Sequence, residues 1–207
     1  DEPCGDQRNP ENCPAPRLHV ALHSLLVIMQ QDASAFTLDQ DTLMSSGPLL
    51  PPNASAASQP RLQLARQLAA RCPPSTAAAI ALTGSSAPAL ADASSDAEIN
   101  HWVERLPLLN VRAAYLSEAG ITRIEAEPAP RSDGSEWFQG YWGDIPVEVG
   151  WQALDDLETS LRPLLTGETS EPEKLRLGEL LVSAVLLREH DRLLALKTAL
   201  ARYPGPL

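Results

Sequence analysis

The chain has 207 residues, 43% of them apolar, with 16 basic and 27 acidic side chains and a formal net charge of -11. That is enough apolar material for one domain with a core, or one domain and an appendage, and it argues against wholesale disorder. The acidic balance, with a sequence pI near 4.7, argues against a nucleic-acid binder and against electrostatic docking on an anionic membrane, since both need clustered Lys and Arg.

Residues 1–17 read as an irregular leader. Cys4 and Cys13 enclose a short polar loop that contains Pro10. Two thiols so close, with no core-forming residues around them, are expected to form a small disulfide staple, which suits an oxidising compartment. A metal site would need two more soft ligands nearby. The chain opens on Asp1, which fits removal of a secretory signal or a shortened chain. Leu18 to Met29 is the longest apolar stretch, and it falls short of the roughly 20 residues a membrane helix needs. His19 and His23 lie within it. As a strand, its favoured reading, it sets them about 13 Å apart. As a helix it makes them neighbours able to share a metal.

Ser45 to Pro60 is a loop of Pro, Ala and Ser that includes the glycosylation tripeptide Asn53-Ala-Ser55. Gln59 to Arg71 is predicted as a helix, with Leu62, Ala65, Leu68 and Ala69 on one face and Pro73-Pro74 as its stop. Cys72, at its end, is expected as a free buried thiol. Ala77 to Ser86 reads as a strand entering a small-residue turn, and Ala87 to Ser95 as loop. Asp96 is expected to cap a helix running to Ala119 and ended by Gly120, kinked or broken at Pro107. Ile121 to Ala126 alternates as a strand. Trp137 to Trp151 holds Trp137, Phe138, Tyr141, Trp142 and Trp151 among three glycines. It is either an aromatic hairpin packed under the last helices or a sugar-stacking platform.

Residues 152–165 read as an amphipathic helix through Leu154, Leu157, Leu161 and Leu164. Glu171 to Tyr203 reads as one long helix, opened by Pro172. Leu186, Leu193 and Leu200 fall seven apart in it, beside Val182 and Leu196, so the helix packs on its neighbours or forms a homo-oligomeric seam. From 18 to 150 the order is strand, loop, helix, strand, helix, strand, strand. This predicts an α+β domain, a mixed sheet with helices on one face, followed by a helical extension over 151–207.

Several segments in this order resemble the OmpA-like, or Pal/MotB-like, peptidoglycan-associated domain of bacterial envelopes. Phe36 with Leu38 and Leu43 resembles the first strand, Leu62 to Cys72 the first helix, and Ile80 to Ser86 the strand that ends in the family's Gly-x-Thr-Asp loop. Asn100 followed by Val111 to Ile121 resembles the second helix, and Ile145 to Val149 sits where the family has Asn-Arg-Arg-Val-Glu. The resemblance implies a βαβα-ββ fold in the periplasm and a site for the diaminopimelate of the peptide stem, held by an Asp and an Arg. Those positions fall here at Ala87 and near Pro107 or Leu108, and Ile145-Pro146 replaces the final Arg pair. The pocket is thus expected to be degenerate, with Ser85, Ser86, Asp92, Asn100, Arg105 and Arg112 as the residues that could still line it. Asp92 or Asp96 stands in for the acid, and Arg105 or Arg112 for the base.

No nucleophile elbow, P-loop or paired-Cys zinc pattern occurs, and no His base accompanies Ser85 or Ser86. Glu189-His190-Asp191 reads as charged helix surface. Residues 1–150 hold 18 acidic and 9 basic side chains, and 151–207 hold 9 and 7, so the negative charge concentrates ahead of the helical extension. It forms either a solvated surface or an acidic docking face. The expectation is a non-catalytic envelope scaffold, without cofactor or membrane span, that contacts envelope proteins and holds peptidoglycan weakly or not at all. The alternatives are a secreted or periplasmic inhibitor-type binding protein, or a glycan binder using the aromatic segment 137–151.

Overall fold

Strand alternation decides which residues enter which of two apolar cores. In the computed structural model, which describes residues 54–202, these cores lie on opposite faces of one mixed six-stranded sheet. The elements run α1 (Ser58–Arg71), β1 (Ala79–Leu82), β2 (Ala97–Val103), α2 (Leu109–Glu118), β3 (Thr122–Ala126), β4 (Glu136–Trp142) and β5 (Ile145–Ala153). They continue with α3 (Leu154–Leu165), α4 (Pro172–Ser183), β6 (Val185–Arg188) and α5 (Asp191–Ala201). The strand order is β3-β4-β5-β2-β1-β6. Only β2 and β5 pair in parallel; every other pairing is antiparallel.

On one face, Leu62 and Leu68 of α1 and Tyr115 and Leu116 of α2 pack over Ile80, Leu82, Ile99, Phe138, Val149 and Trp151. On the other, Leu157, Leu161 and Leu164 of α3 join Leu181, Leu193 and Leu200 over Ala79, Ala81 and Trp102. The small side chains of β1 let this second layer approach its backbone closely. Arg61 is buried in α1, where its Nε donates to the carbonyls of Ser95 and Asp96, both at 3.1 Å. That ties the helix to the start of β2.

The expected helix at 59–71, the strands within 77–86 and 121–126, the aromatic hairpin and the helix at 152–165 are present. Gly120, at φ +89°, ends α2 as expected. Cys72 is free and buried. α1 and α2 share a face, as expected for the helices of the α+β domain, and α3, α4 and α5, from the region expected as a helical extension, cover the other.

Two expected helices are also corrected. Asp96 does not cap a helix to Ala119: Ala97–Val103 is the central strand β2, and the helix begins at Leu109, after Pro107. Alternation is physically evident here, with Ala97, Ile99 and Val103 entering the first core and Trp102 the second. Glu171 to Tyr203 is not one helix, because β6 interrupts it and pairs with the free edge of β1. Arg188 fastens β6 by donating to the carbonyls of Ala77 (2.9 Å), Ala69 (2.8 Å) and Cys72 (2.6 Å). Leu186 thus sits on a strand while Leu193 and Leu200 fill the second core, so there is no continuous leucine seam. The region after 151 supplies a strand and a helical layer to the sheet. Nor does the hairpin pack under the last helices, since Phe138 and Trp151 face α1 and α2 and no residue of β4 or β5 belongs to the core of those helices.

No helix among the described residues is long and apolar enough to cross a membrane. The leader 1–17 with Cys4 and Cys13, His19 and His23, the expected strand at Phe36 to Leu43, and Asn53 lie outside the described residues.

Candidate functional site

The six residues expected to line a pocket do not converge. Ser85 and Ser86 form a single 3-10 turn after β1, with Ser85 exposed and Ser86 buried. Asp92 is exposed, and its Oδ1 accepts the N–H groups of Ser94 and Ser95 at 2.9 Å each and their hydroxyls at 2.8 and 3.0 Å. These bonds, Ser94 first, hold its carboxyl below the usual range, and they engage it within its own turn. Asn100 is buried on β2, where its amide donates to Thr83 Oγ1 at 2.7 Å. Arg105 is exposed beyond the far end of β2. Arg112 is 3% exposed under α2, on the opposite sheet face from Asn100, and pairs with Glu136. The seven residues of β2 put roughly 20 Å between the acid end and the base end. No Asp/Arg clamp forms between Asp92 and Arg105.

The sheet brings together a different set. Glu98 of β2 is the register partner of Glu148 of β5, Glu148 of Gln139 in β4, and Gln139 of Glu125 in β3. With strands about 4.8 Å apart, this makes a polar row of roughly 14 Å across four neighbouring strands. It lies on the face covered by α3–α5, but those helices pack over β1 and β2, and no residue of β3, β4 or β5 belongs to their core. The half-face carrying the row is therefore open, with Gln139 and Glu125 exposed and Glu98 and Glu148 half-buried.

One flank of this half-face is built by the β3–β4 connection. Trp137 lies on Gly150, where a Cβ would come within 2.8 Å of its ring. Arg131 stacks over Trp137 at 4.2 Å and holds Glu127 through two hydrogen bonds of 3.1 and 2.5 Å. Gln152 donates to the Asp133 carbonyl at 2.7 Å, pinning the loop. What remains is a groove of about 280 Å³ lined by Asp96, Arg123, Glu125, Gln139, Tyr141 and Glu148 with the sheet as its floor. Arg123 lies over the Tyr141 ring at 5.4 Å.

Three carboxylates and one guanidinium line the groove, so negative charge is in excess there. Partial burial, and then the charge of Asp96, push the carboxyl of Glu148 upward, and Arg131 only partly offsets this. Burial likewise pushes up Glu98, against the hydrogen bond from Thr83. A negative, hydrogen-bonding surface of this kind attracts cationic groups. Among the described residues no group of three or more His, Cys, Asp or Glu is placed to hold a metal ion.

Beneath the opposite face is a buried polar cluster. His101 stacks on Trp151 at 4.5 Å, and its Nε2 lies 3.3 Å from the hydroxyl of Tyr115, which donates to the Leu68 carbonyl at 2.7 Å. Since the tyrosine proton is committed to Leu68, Nε2 is the donor to Tyr115. His101 Nδ1, Arg112 Nε and Nη1, and Trp151 Nε1 are buried without a hydrogen-bond partner. Burial first, and then the charge of Arg188, push His101 down to about 3. Burial pushes the Cys72 thiol upward, away from the thiolate that nucleophilic chemistry needs. Trp137, Phe138 and Trp151 are also buried, so the aromatic segment presents only Tyr141 and Trp142 toward solvent.

Sequence reasoning missed the row, although Glu98, Gln139 and Glu148 alternate with buried residues in their own strands. What the sequence lacks is the register that aligns them. Compared with known proteins, the chain matches no family model and no curated protein.

Proposed function

We propose that this chain is a non-catalytic adaptor of the bacterial cell envelope, exported to the periplasm, which works through protein–protein contact and holds peptidoglycan weakly or not at all. The observation that carries the reading is the open half-face of the sheet, where a grooved polar surface lies beside three strands that the helices leave uncovered. Such a surface suits recognition of another macromolecule. The OmpA-like kinship within this proposal rests on the resemblance of its segments, and β2, standing between β1 and α2, departs from the βαβα-ββ order that the resemblance implies. Leu62 to Cys72, Ile80 to Ser86, Val111 to Ile121 and Ile145 to Val149 fall largely on α1, β1 with its turn, α2 and β5. The separation of Asp92 from Arg105 by the length of β2 supports weak or absent peptidoglycan affinity.

Two measurements test the proposal. Sedimentation with purified sacculi should recover the protein only at background level. A photo-crosslinking residue at Gln139 should give discrete covalent adducts in envelope extracts of the producing organism, while one at Glu173, on α4, should not. Robust sacculus binding, or equal crosslinking at both positions, overturns the proposal.

A further inference from the structure

Resting on the adaptor reading, we infer that the open half-face is a docking surface for an extended basic segment of a partner protein, laid across the strands with its Lys or Arg side chains over Glu98, Glu148 and Glu125. The commitment to a basic occupant follows from where the charges on this face already go. The Arg131 guanidinium is engaged with Glu127 and stacked on Trp137. Arg123 lies over Tyr141 at one end of the groove. Glu148 receives only the weak amide hydrogen bond of Gln139, at 3.3 Å, and Glu98 receives Thr83 at 2.8 Å and Asn100 at 3.5 Å. These hydrogen-bond donors are neutral, and the charge of Arg131, itself hydrogen-bonded to Glu127, only partly offsets the burial of the two carboxylates.

Spacing selects an extended chain. The row spans roughly 14 Å, and in an extended peptide side chains on one face recur about every 6.6 Å. Residues i, i+2 and i+4 therefore cover the row from Glu98 to Glu125. A helix presents successive residues of one face about 5–6 Å apart, but its diameter of about 10–12 Å is a poor fit to a groove of about 280 Å³. The exposed middle of the row is Gln139, a neutral amide that can accept from a passing ammonium without repelling it.

The test uses the full chain and a fluorescently labelled eight-residue peptide of alternating Lys and Ser, read by anisotropy at low salt. Binding is expected, and it should weaken steeply as salt rises. Glu125→Gln with Glu148→Gln should weaken it by about tenfold. Gln139→Lys, which places a positive charge at the exposed centre and leaves buried groups alone, should abolish it. Glu173→Gln with Glu179→Gln removes the same charge from exposed positions on α4 and should change binding by less than about twofold. No binding, equal loss in the α4 control, or full binding by Gln139→Lys overturns the docking surface. The two readings fail differently. Envelope adducts at Gln139 without peptide binding remove the basic-segment chemistry and leave the adaptor. Row-specific peptide binding without envelope adducts removes the adaptor and leaves the surface.

Discussion

The guanidinium of Arg112 and the carboxylate of Glu136 close an ion pair between α2 and β4, directly above two aromatic rings. The Arg112 Cζ lies 5.3 Å from the Phe138 ring centre and 5.6 Å from that of Trp151. Its side chain is 3% exposed, against 30% for Glu136. The burial cost thus falls mainly on the arginine, and Nε and Nη1 bring no hydrogen bonds to offset it.

That asymmetry gives the first prediction. Glu136→Gln leaves a buried cation without its counter-charge and should cost about 2–3 kcal/mol, reduced from the fully buried case by the exposure of Glu136. Arg112→Met removes the charge and the unpartnered donors together, keeps much of the contact with Phe138 and Trp151, and should cost less than about 1.5 kcal/mol. Urea denaturation of both variants decides this, and a larger loss for Arg112→Met would contradict it.

The sequence showed much of this fold where local chemistry and tertiary structure agree. α1 and α3 carry a clear apolar face, and α2 ends at Gly120, which adopts the positive φ that favours glycine. It misled where they conflict. Ala97–Val103 is a central strand with side chains buried on both faces, yet Glu98, Asn100 and His101 break up its apolar residues, and Asp96 ahead of it mimics a helix cap. Val185–Arg188 sits within a leucine-rich stretch of good helix formers, and only pairing with β1 makes it a strand. Of the six residues expected at the site, Arg112 was singled out for its charge, but its role is in the core. The open row depends on register between strands as distant as Glu98 and Glu148, which no single segment encodes.

A second prediction contrasts two glycines. A Cβ at Gly140 would lie 2.6 Å from Ile121 Cγ2 and 2.9 Å from the Thr122 carbonyl oxygen. Backbone cannot yield there without disturbing the β3–β4 pairing, so Gly140→Ala should cost about 1–3 kcal/mol. At Gly178 the nearest atoms are the side-chain ends of Leu164 (2.9 Å) and Leu200 (3.5 Å). These can turn aside, and alanine gains up to about 1 kcal/mol of helix propensity. Gly178→Ala should therefore leave the denaturation midpoint nearly unchanged.

A third concerns the end of α4. Lys197 Nζ donates to the carbonyls of Leu181 (2.9 Å), Val182 and Ala184 (3.0 Å), doing for this helix what a C-terminal glycine does elsewhere. Lys197→Met keeps the aliphatic stem and removes the donors. It should cost about 1 kcal/mol, a modest figure because the ammonium is partly exposed. Hydrogen exchange offers a local readout, with faster exchange expected at the last turn of α4 and in β6 and little change in α1. Uniform acceleration across the chain would assign the lysine a global role instead.

The fourth prediction is the pH dependence of stability set by His101. Folding buries this imidazole completely and pushes it down to about 3, chiefly through burial and then through the charge of Arg188. In the unfolded chain it titrates near 6.5. Above that value both states are neutral at this position, and His101 contributes its packing on Trp151 in full. As pH falls below about 6.5 the unfolded state takes up a proton that the folded state refuses. Stability then drops by up to about 1.4 kcal/mol per pH unit, until the folded value is reached. Glu98 and Glu148 act in the opposite sense, because their folded carboxyls are pushed up. Their penalty at neutral pH is relieved as they protonate, and this contribution is shared by the wild type and a His101 variant. Comparison with a His101 variant therefore isolates the histidine's contribution between pH 6.5 and about 5.5. His101→Phe keeps a ring against Trp151 and gives up the bond to Tyr115 at 3.3 Å. The variant should be less stable than the wild type at pH 7.5, and its stability should fall less steeply between pH 6.5 and 5.5. Urea titrations at four pH values measure both slopes, and identical slopes would mean that His101 is not held neutral in the folded protein.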